Sequence, residues 1–212
     1  MGKTPQEKFW ATEFGDEYTE RNLYNTPDLL DEFYKKTFGI SRSEMNFEFL
    51  NGIKIDKILE VGCNIGNQLN LLQDQGYKNL YGIDIQPYAV EKAKEFTKGI
   101  NIIAGSIFDI PFKDNYFDLV YTAGVLIHIS PNDVKKAMQE IYRTSKKYIW
   151  GYEYFNEEYK AIKYRDNPDR LWKGNFVKMY RELFPDLVLV KEKMYPYIEG
   201  GNIDTMYLLK KK

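Results

Sequence analysis

Residues 57–69 read KILEVGCNIGNQL, and the turn inside this stretch decides the fold. An apolar run carrying one acid, Glu60, ends in Gly62; Gly66 follows, and NQL opens a spacing of helical period. Glycine at 62 lets a strand end sharply, and glycine at 66 lets a helix begin close to a ligand. A buried strand, a tight loop and a helix in that order form the ligand edge of an open α/β sheet. The dinucleotide pattern G-x-G-x-x-G fails here, because Asn64 and Asn67 hold its second and third glycine positions. Asparagine tolerates left-handed backbone, so Asn64 preserves the turn and adds an amide beside the ligand. Loss of the third glycine removes the close helix–sheet approach around a pyrophosphate, and a ligand lacking one fits better.

Outward from this loop, strands and helices alternate. NLYGIDI, INIIAGS, FDLVYTAGV and KYIWGYEY read as the second to fifth strands. Pro87 starts one helix, and Ser130 with Pro131 opens another, PNDVKKAMQEIYRTS. Residues 155–174 are charge-rich and read as irregular. NFVKMYRELF is a helix; LVLVKEKMY and IDTMYLLKK are closing strands that turn at Gly200 and Gly201. Strands separated by helices run parallel, whereas the last, with no helix before it, enters antiparallel. Upstream, Thr4, Pro5 and Glu7 form a capping-box start for one helix carrying Phe9, Trp10 and Phe14. Thr26 and Pro27 start a second helix that Gly39 closes, and Ser41 with Glu44 repeats the box.

Two further acids extend the loop reading. Asp84 ends a strand about 20 residues beyond the loop, where a carboxylate accepts both hydroxyls of a ribose. Asp109, after the third strand, is placed to accept from an adenine amino group, and Glu60 stands where a ligand ammonium lies. In order, EVGCNIG, GIDI, GSIFDIPF and FDLVYTAGVLIHI resemble the S-adenosylmethionine pattern of class I methyltransferases. The resemblance implies an α/β fold with a Rossmann-like seven-stranded sheet whose last strand is antiparallel. It implies a helical lid over residues 1–52 and a methyltransferase domain over residues 53–212, as a single globular unit. S-adenosyl-L-methionine is then the methyl donor and S-adenosyl-L-homocysteine the product. The cofactor-binding residues become Glu60, Gly62, Cys63, Asn64, Gly66, Asn67, Asp84, Ile85, Ser106, Ile107, Asp109 and Ala123, with Arg21 from the lid.

The flanks are more specific than the loop. FWATEFGDEYTERN near the start, and YEYFN with YRDNPDRLWKGNF after the fifth strand, resemble the bacterial pseudaminic acid biosynthesis-associated methyltransferases. That likeness runs over nearly the whole chain and implies an anionic, carbohydrate-like acceptor from a pathway of nine-carbon surface sugars. Arg21 is expected over the methionine end as a partner for its carboxylate, or else in a surface pair with Asp16 or Glu17. Tyr18, Asn156, Tyr164, Arg165 and Arg170 are the substrate-binding candidates. Arginines suit a carboxylate or phosphate, or else pair with Asp166 and Asp169 on a solvated loop. A methyl sulfonium is already activated, so alignment and exclusion of water suffice, and no metal is called for. His128, the single histidine, is the candidate base or else a hydrogen-bonded structural residue, and Tyr154 is a second polar catalytic candidate.

Composition bounds the rest. Lys+Arg 30 against Asp+Glu 31 gives no basic face for nucleic acid. Cys63 is the one cysteine, so no internal disulfide forms, and no run is long enough to span a bilayer. The expectation is a soluble, cytoplasmic protein, monomer or homodimer, whose partner is a small-molecule substrate. Another small acid, amine or amino-acid derivative is the alternative acceptor, and a non-catalytic cofactor-binding scaffold the alternative class.

Overall fold

The computed structural model describes residues 4–24, 26–165 and 167–212. Its first half forms α1 (Pro5–Trp10), α2 (Glu13–Arg21), α3 (Pro27–Phe38), α4 (Arg42–Leu50), β1 (Lys57–Val61), α5 (Asn67–Asp74), β2 (Asn79–Asp84), α6 (Pro87–Phe96) and β3 (Asn101–Ala104). There follow β4 (Phe117–Ala123), a 3-10 turn (Leu126–His128), α7 (Val134–Thr144), β5 (Ser145–Tyr154), β6 (Lys160–Tyr164), β7 (Asn167–Lys173), α8 (Phe176–Leu183), β8 (Leu187–Pro196) and β9 (Ile203–Lys211).

Seven strands make one sheet in the order β3-β2-β1-β4-β5-β9-β8. β1 to β5 pair in parallel, and β9 is antiparallel to both β5 and β8, as the missing helix before it requires. The chain steps outward from β1 to β3, then returns to β1's other side with β4. That reversal opens a crevice at the carboxyl ends of β1 and β4. Side chains alternate across the sheet. Leu59 and Val61 join a core layer under α7 and α8, while Ile58 joins the layer under α3 to α6. Each fully buried side chain of this kind contributes about 1.5–3 kcal/mol over its exposed state.

The expected single N-terminal helix is two. Thr4 and Glu7 form the capping box, but α1 stops at Trp10 and Thr12 becomes the N-cap residue of α2. Gly15 lets the two helices cross: a β-carbon there would lie 2.0 Å from the Trp10 carbonyl. Gly39 closes α3 in the left-handed conformation, and Ser41 caps α4 with Glu44. Helix α7 starts later than expected, because Ser130 and Asp133 bond to each other in a turn before it. The stretch 155–174, expected to be irregular, holds the antiparallel hairpin β6–β7. Leu171 and Trp172 of β7 are both buried, and the interspersed lysines and aspartates hid the strand pattern. Asp166, expected beside the arginines, lies outside the described residues. Among the described residues, no helix is long and apolar enough to cross a membrane.

Candidate active site

The crevice opens into a cavity of about 740 Å³, roofed by α1, α2 and the β6–β7 hairpin. Its β1 edge is built by backbone. The amides of Gly62 and Cys63 both donate to the Ile83 carbonyl, at 2.8 and 3.0 Å, tying the loop to β2. Asn64 takes φ 48° and Gly66 φ 83°, so asparagine does adopt the left-handed turn. Gly66, expected among the cofactor-binding residues, does not line the cavity; a β-carbon there would meet Thr97 at 2.7 Å, so packing keeps that position glycine. The Asp84 carboxylate accepts the Asn64 amide at 2.7 Å and the Gln86 amide at 2.9 Å. Burial raises its pKa, against the backbone hydrogen bonds that lower it. A carboxylate has about four acceptor sites, so the backbone donors leave capacity for a ligand hydroxyl. The side-chain oxygen of Asn64 is buried with no partner in the protein. That unpaired acceptor, beside Asp84 at the strand ends, fits the adenosylmethionine expected from the sequence.

Glu60 is buried, accepts the Tyr121 hydroxyl at 2.9 Å, and burial pushes its pKa up to about 8. It lines the cavity with Gly62, Cys63, Asn64, Asn67, Ile85, Ser106, Ile107 and Ala123. Asn67 also donates to the carbonyl of Asn22, the residue after α2, at 3.0 Å. Burial raises the Cys63 thiol, so it packs rather than reacts. Asp109 departs from expectation. It is exposed and does not line the cavity, because the Ser106–Asp109 bridge turns Ile107 and Phe108 inward and leaves the carboxylate outside. Ser106 instead donates to Glu7 of α1 at 2.6 Å.

His128 is buried beside Trp10 of the lid, ring centroids 4.7 Å apart, with Tyr164 on its other contact at 5.4 Å. Its Nδ1–H donates to the Arg170 carbonyl at 2.8 Å, which leaves Nε2 unprotonated. Burial pushes its pKa down to about 4. The turn carrying it hangs on buried Glu153, which accepts the amides of Val125, Leu126 and Ile127 at 3.3, 3.2 and 3.4 Å. Burial pushes the Glu153 carboxyl up to about 7.

Tyr18, Arg21, Tyr154, Tyr164 and Arg165 all line the cavity. Burial raises the Tyr18 phenol, and Arg21 pairs with Glu17 at 3.3 Å. Arg165 stands at the tip of the hairpin with φ 44°. Asn156 and Arg170 do not line it. Asn156 bonds to the Glu158 carbonyl at 2.7 Å; Arg170 pairs with Asp169 at 2.6 Å, its guanidinium over Phe9 of the lid. Asn156 sits in the turn before the hairpin, whereas Arg170 is packed between β7 and α1, its Nε buried without a partner. Missed by the sequence reading are Glu7, Gln86, Tyr34, Phe38, Tyr152, Tyr197 and Asp204. Asp204 carried a signal: it is the one acid in the apolar strand IDTMYLLKK.

A family of known proteins described as "Methyltransferase domain" matches residues 59–148. An uncharacterized methyltransferase of Staphylococcus carnosus is 30% identical over 168 residues, covering 76% of this chain and 74% of that protein. A 24-methylenesterol C-methyltransferase of Arabidopsis thaliana is 32% identical over 59% of this chain and 36% of its own length. A phosphoethanolamine N-methyltransferase of Plasmodium falciparum is 25% identical over 62% and 50%. The chain thus spans half or less of the last two relatives. The solved structure of an S-adenosylmethionine-dependent methyltransferase from Anabaena variabilis superposes with a TM-score of 0.71, at 12% identity, over 99% of this chain and 96% of that one.

Proposed function

Because the chain belongs to the class I S-adenosylmethionine-dependent methyltransferases, we propose that it transfers the methyl group to an oxygen or nitrogen of a small acceptor. One observation carries this: Asp84, pinned by the loop amides, stands with the unpaired Asn64 oxygen at the edge of a cavity large enough for donor and acceptor together. Asp84 holds the ribose, the Asn64 turn approaches the rest of the nucleoside, and Glu60 faces the methionine ammonium. The bound donor supplies an activated methyl group; the chain's own residues have to align and dry the site. The lid does the second, with Trp10 and Tyr18 on the cavity wall. Where the acceptor is a hydroxyl, the unprotonated Nε2 of His128 takes a hydrogen bond from it and orients its oxygen.

The acceptor enters by the hairpin tip and α3. Arg165 lines the cavity there and suits an anionic group. The flanking motifs support a carbohydrate-like acceptor of the nonulosonic type, and the phosphoethanolamine relative supports nitrogen as the target atom. Calorimetry with S-adenosylhomocysteine, with NAD as contrast, tests the reading. Binding of the first and not the second is expected; NAD binding alone would overturn it.

A further inference from the structure

One corner of the cavity lies away from the donor edge. Asp204, the second residue of β9, stands two strands from β4 and so flanks the crevice at about 10 Å from that strand, at roughly 4.8 Å per strand. It is only 2% exposed, yet it lines the cavity. Its carboxylate accepts the Tyr197 hydroxyl at 3.3 Å and the Asn202 amide at 3.2 Å. Arg42 and Lys173 are the cations that favour its ionised form, and neither lines the cavity.

Around it stand five rings that also line the cavity: Tyr34, Phe38, Tyr152, Tyr154 and Tyr197. They touch in series. Tyr34 and Phe38 meet Tyr152 at 5.9 and 6.1 Å, and Tyr197 meets Phe38 at 4.6 Å and Tyr154 at 6.4 Å. A carboxylate among such rings is costly to bury, and the hydroxyl, the amide and the two cations just named offset that cost in part. Aromatic faces and one carboxylate together attract an alkylammonium through ring quadrupoles and charge. These rings already accept cations from the protein: the Arg42 guanidinium lies 4.3 Å from the centre of Tyr152, and the Lys173 ammonium 5.8 Å from Tyr154.

We infer that the acceptor is a small amine whose nitrogen seats between Asp204 and this ring of tyrosines and phenylalanine. The inference rests on the methyl-transfer reading above and names its substrate class. Asp204 takes one proton from the ammonium, which frees the nitrogen lone pair. The nitrogen–carbon bond forms as the carbon–sulfur bond breaks, and that bonding pair stays on sulfur. The products are a methylated ammonium and a neutral thioether, and the proton leaves Asp204 for solvent.

The test uses the full chain saturated with S-adenosylhomocysteine, whose own affinity is measured first. Choline, its uncharged carbon isostere dimethylbutanol, and N-acetylneuraminate are then titrated by calorimetry. Choline is expected to bind at least about tenfold more tightly than the isostere. Asp204→Asn should remove that advantage while leaving the homocysteine product's affinity within about twofold. Equal affinity for choline and the isostere, or tighter binding of the neuraminate, overturns the amine and leaves methyl transfer standing. Absence of homocysteine-product binding to the wild type overturns the parent reading instead. Should Asp204→Asn misfold, the wild-type choline and isostere comparison decides alone. With tritiated donor, label recovered in N-methyl products from a panel of primary amines supports the inference, and label only in O-methyl products from matched alcohols overturns it.

Discussion

Replacing Asp84 with alanine removes an acceptor from two partners at once. The amides of Asn64 and Gln86 lose their bonds, and a bound ribose loses its own. The expected result is a loss of about 2–3 kcal/mol, roughly 30- to 150-fold, in S-adenosylhomocysteine affinity by calorimetry. His128 makes a second prediction, and as the only histidine its ring signals need no assignment. Burial disfavours the imidazolium, so the ring stays neutral down to about pH 4. In a proton NMR titration its Cε1–H shift should stay flat from pH 8 to about 5; a midpoint near 6.5, the ordinary value, would place the ring in water. At this scale the sequence was readable where chemistry is local. Asn64 in the turn and Asp84 at its strand end follow from backbone rules alone. Asp109 misled because a strand-end acid looks the same whether the following turn directs it inward or outward.

Of the four helices within the expected lid of residues 1–52, α3 and α4 pack into a core layer, and α1 and α2 are held to the body by polar contacts. Glu7 joins Ser106, Gln86 joins Asp16 and the Thr12 carbonyl, and the Asn22 carbonyl takes Asn67. Gly15→Ala forces a methyl against the Trp10 carbonyl and the Gln86 amide. The lid must then lift, and stopped-flow measurements should show cofactor dissociation at least about tenfold faster, with melting temperature changed little because α1 and α2 lie outside both core layers. An unchanged rate would mean that the lid does not gate the site. The hairpin β6–β7 belongs to the same roof, and its pairing was invisible in the sequence. Its apolar residues Ile162, Leu171 and Trp172 are set among lysines, arginines and Pro168 without a regular alternation, and proline argues against a strand.

Across the whole molecule, three buried carboxylates tie stability to pH. Burial raises Glu60 to about 8 and Glu153 and Asp204 to about 7. Each keeps its proton in the folded chain at a pH where the unfolded chain has lost it, so raising the pH through these values favours unfolding. His128 acts the other way between about pH 4 and 6.5, where the unfolded chain binds the proton. Above that window only the carboxylates remain. The melting temperature of the unliganded protein should therefore fall by at least about 3 °C from pH 6.5 to 8 in differential scanning fluorimetry, and a flat or rising profile would contradict it. The tyrosine-walled corner was the least legible part, because Tyr34, Tyr152 and Asp204 come from α3, β5 and β9 and meet only through the sheet order. The sheet itself was legible from alternation and from the missing helix before β9. The packing of Trp10 between lid and His128 has an optical consequence. Trp150 and Trp172, the other two indoles, are buried, whereas Trp10 is the one on the cavity wall. Its emission should then change as the site fills or the roof lifts, which gives this chain a built-in fluorescent reporter, free of any attached dye, for every titration proposed above.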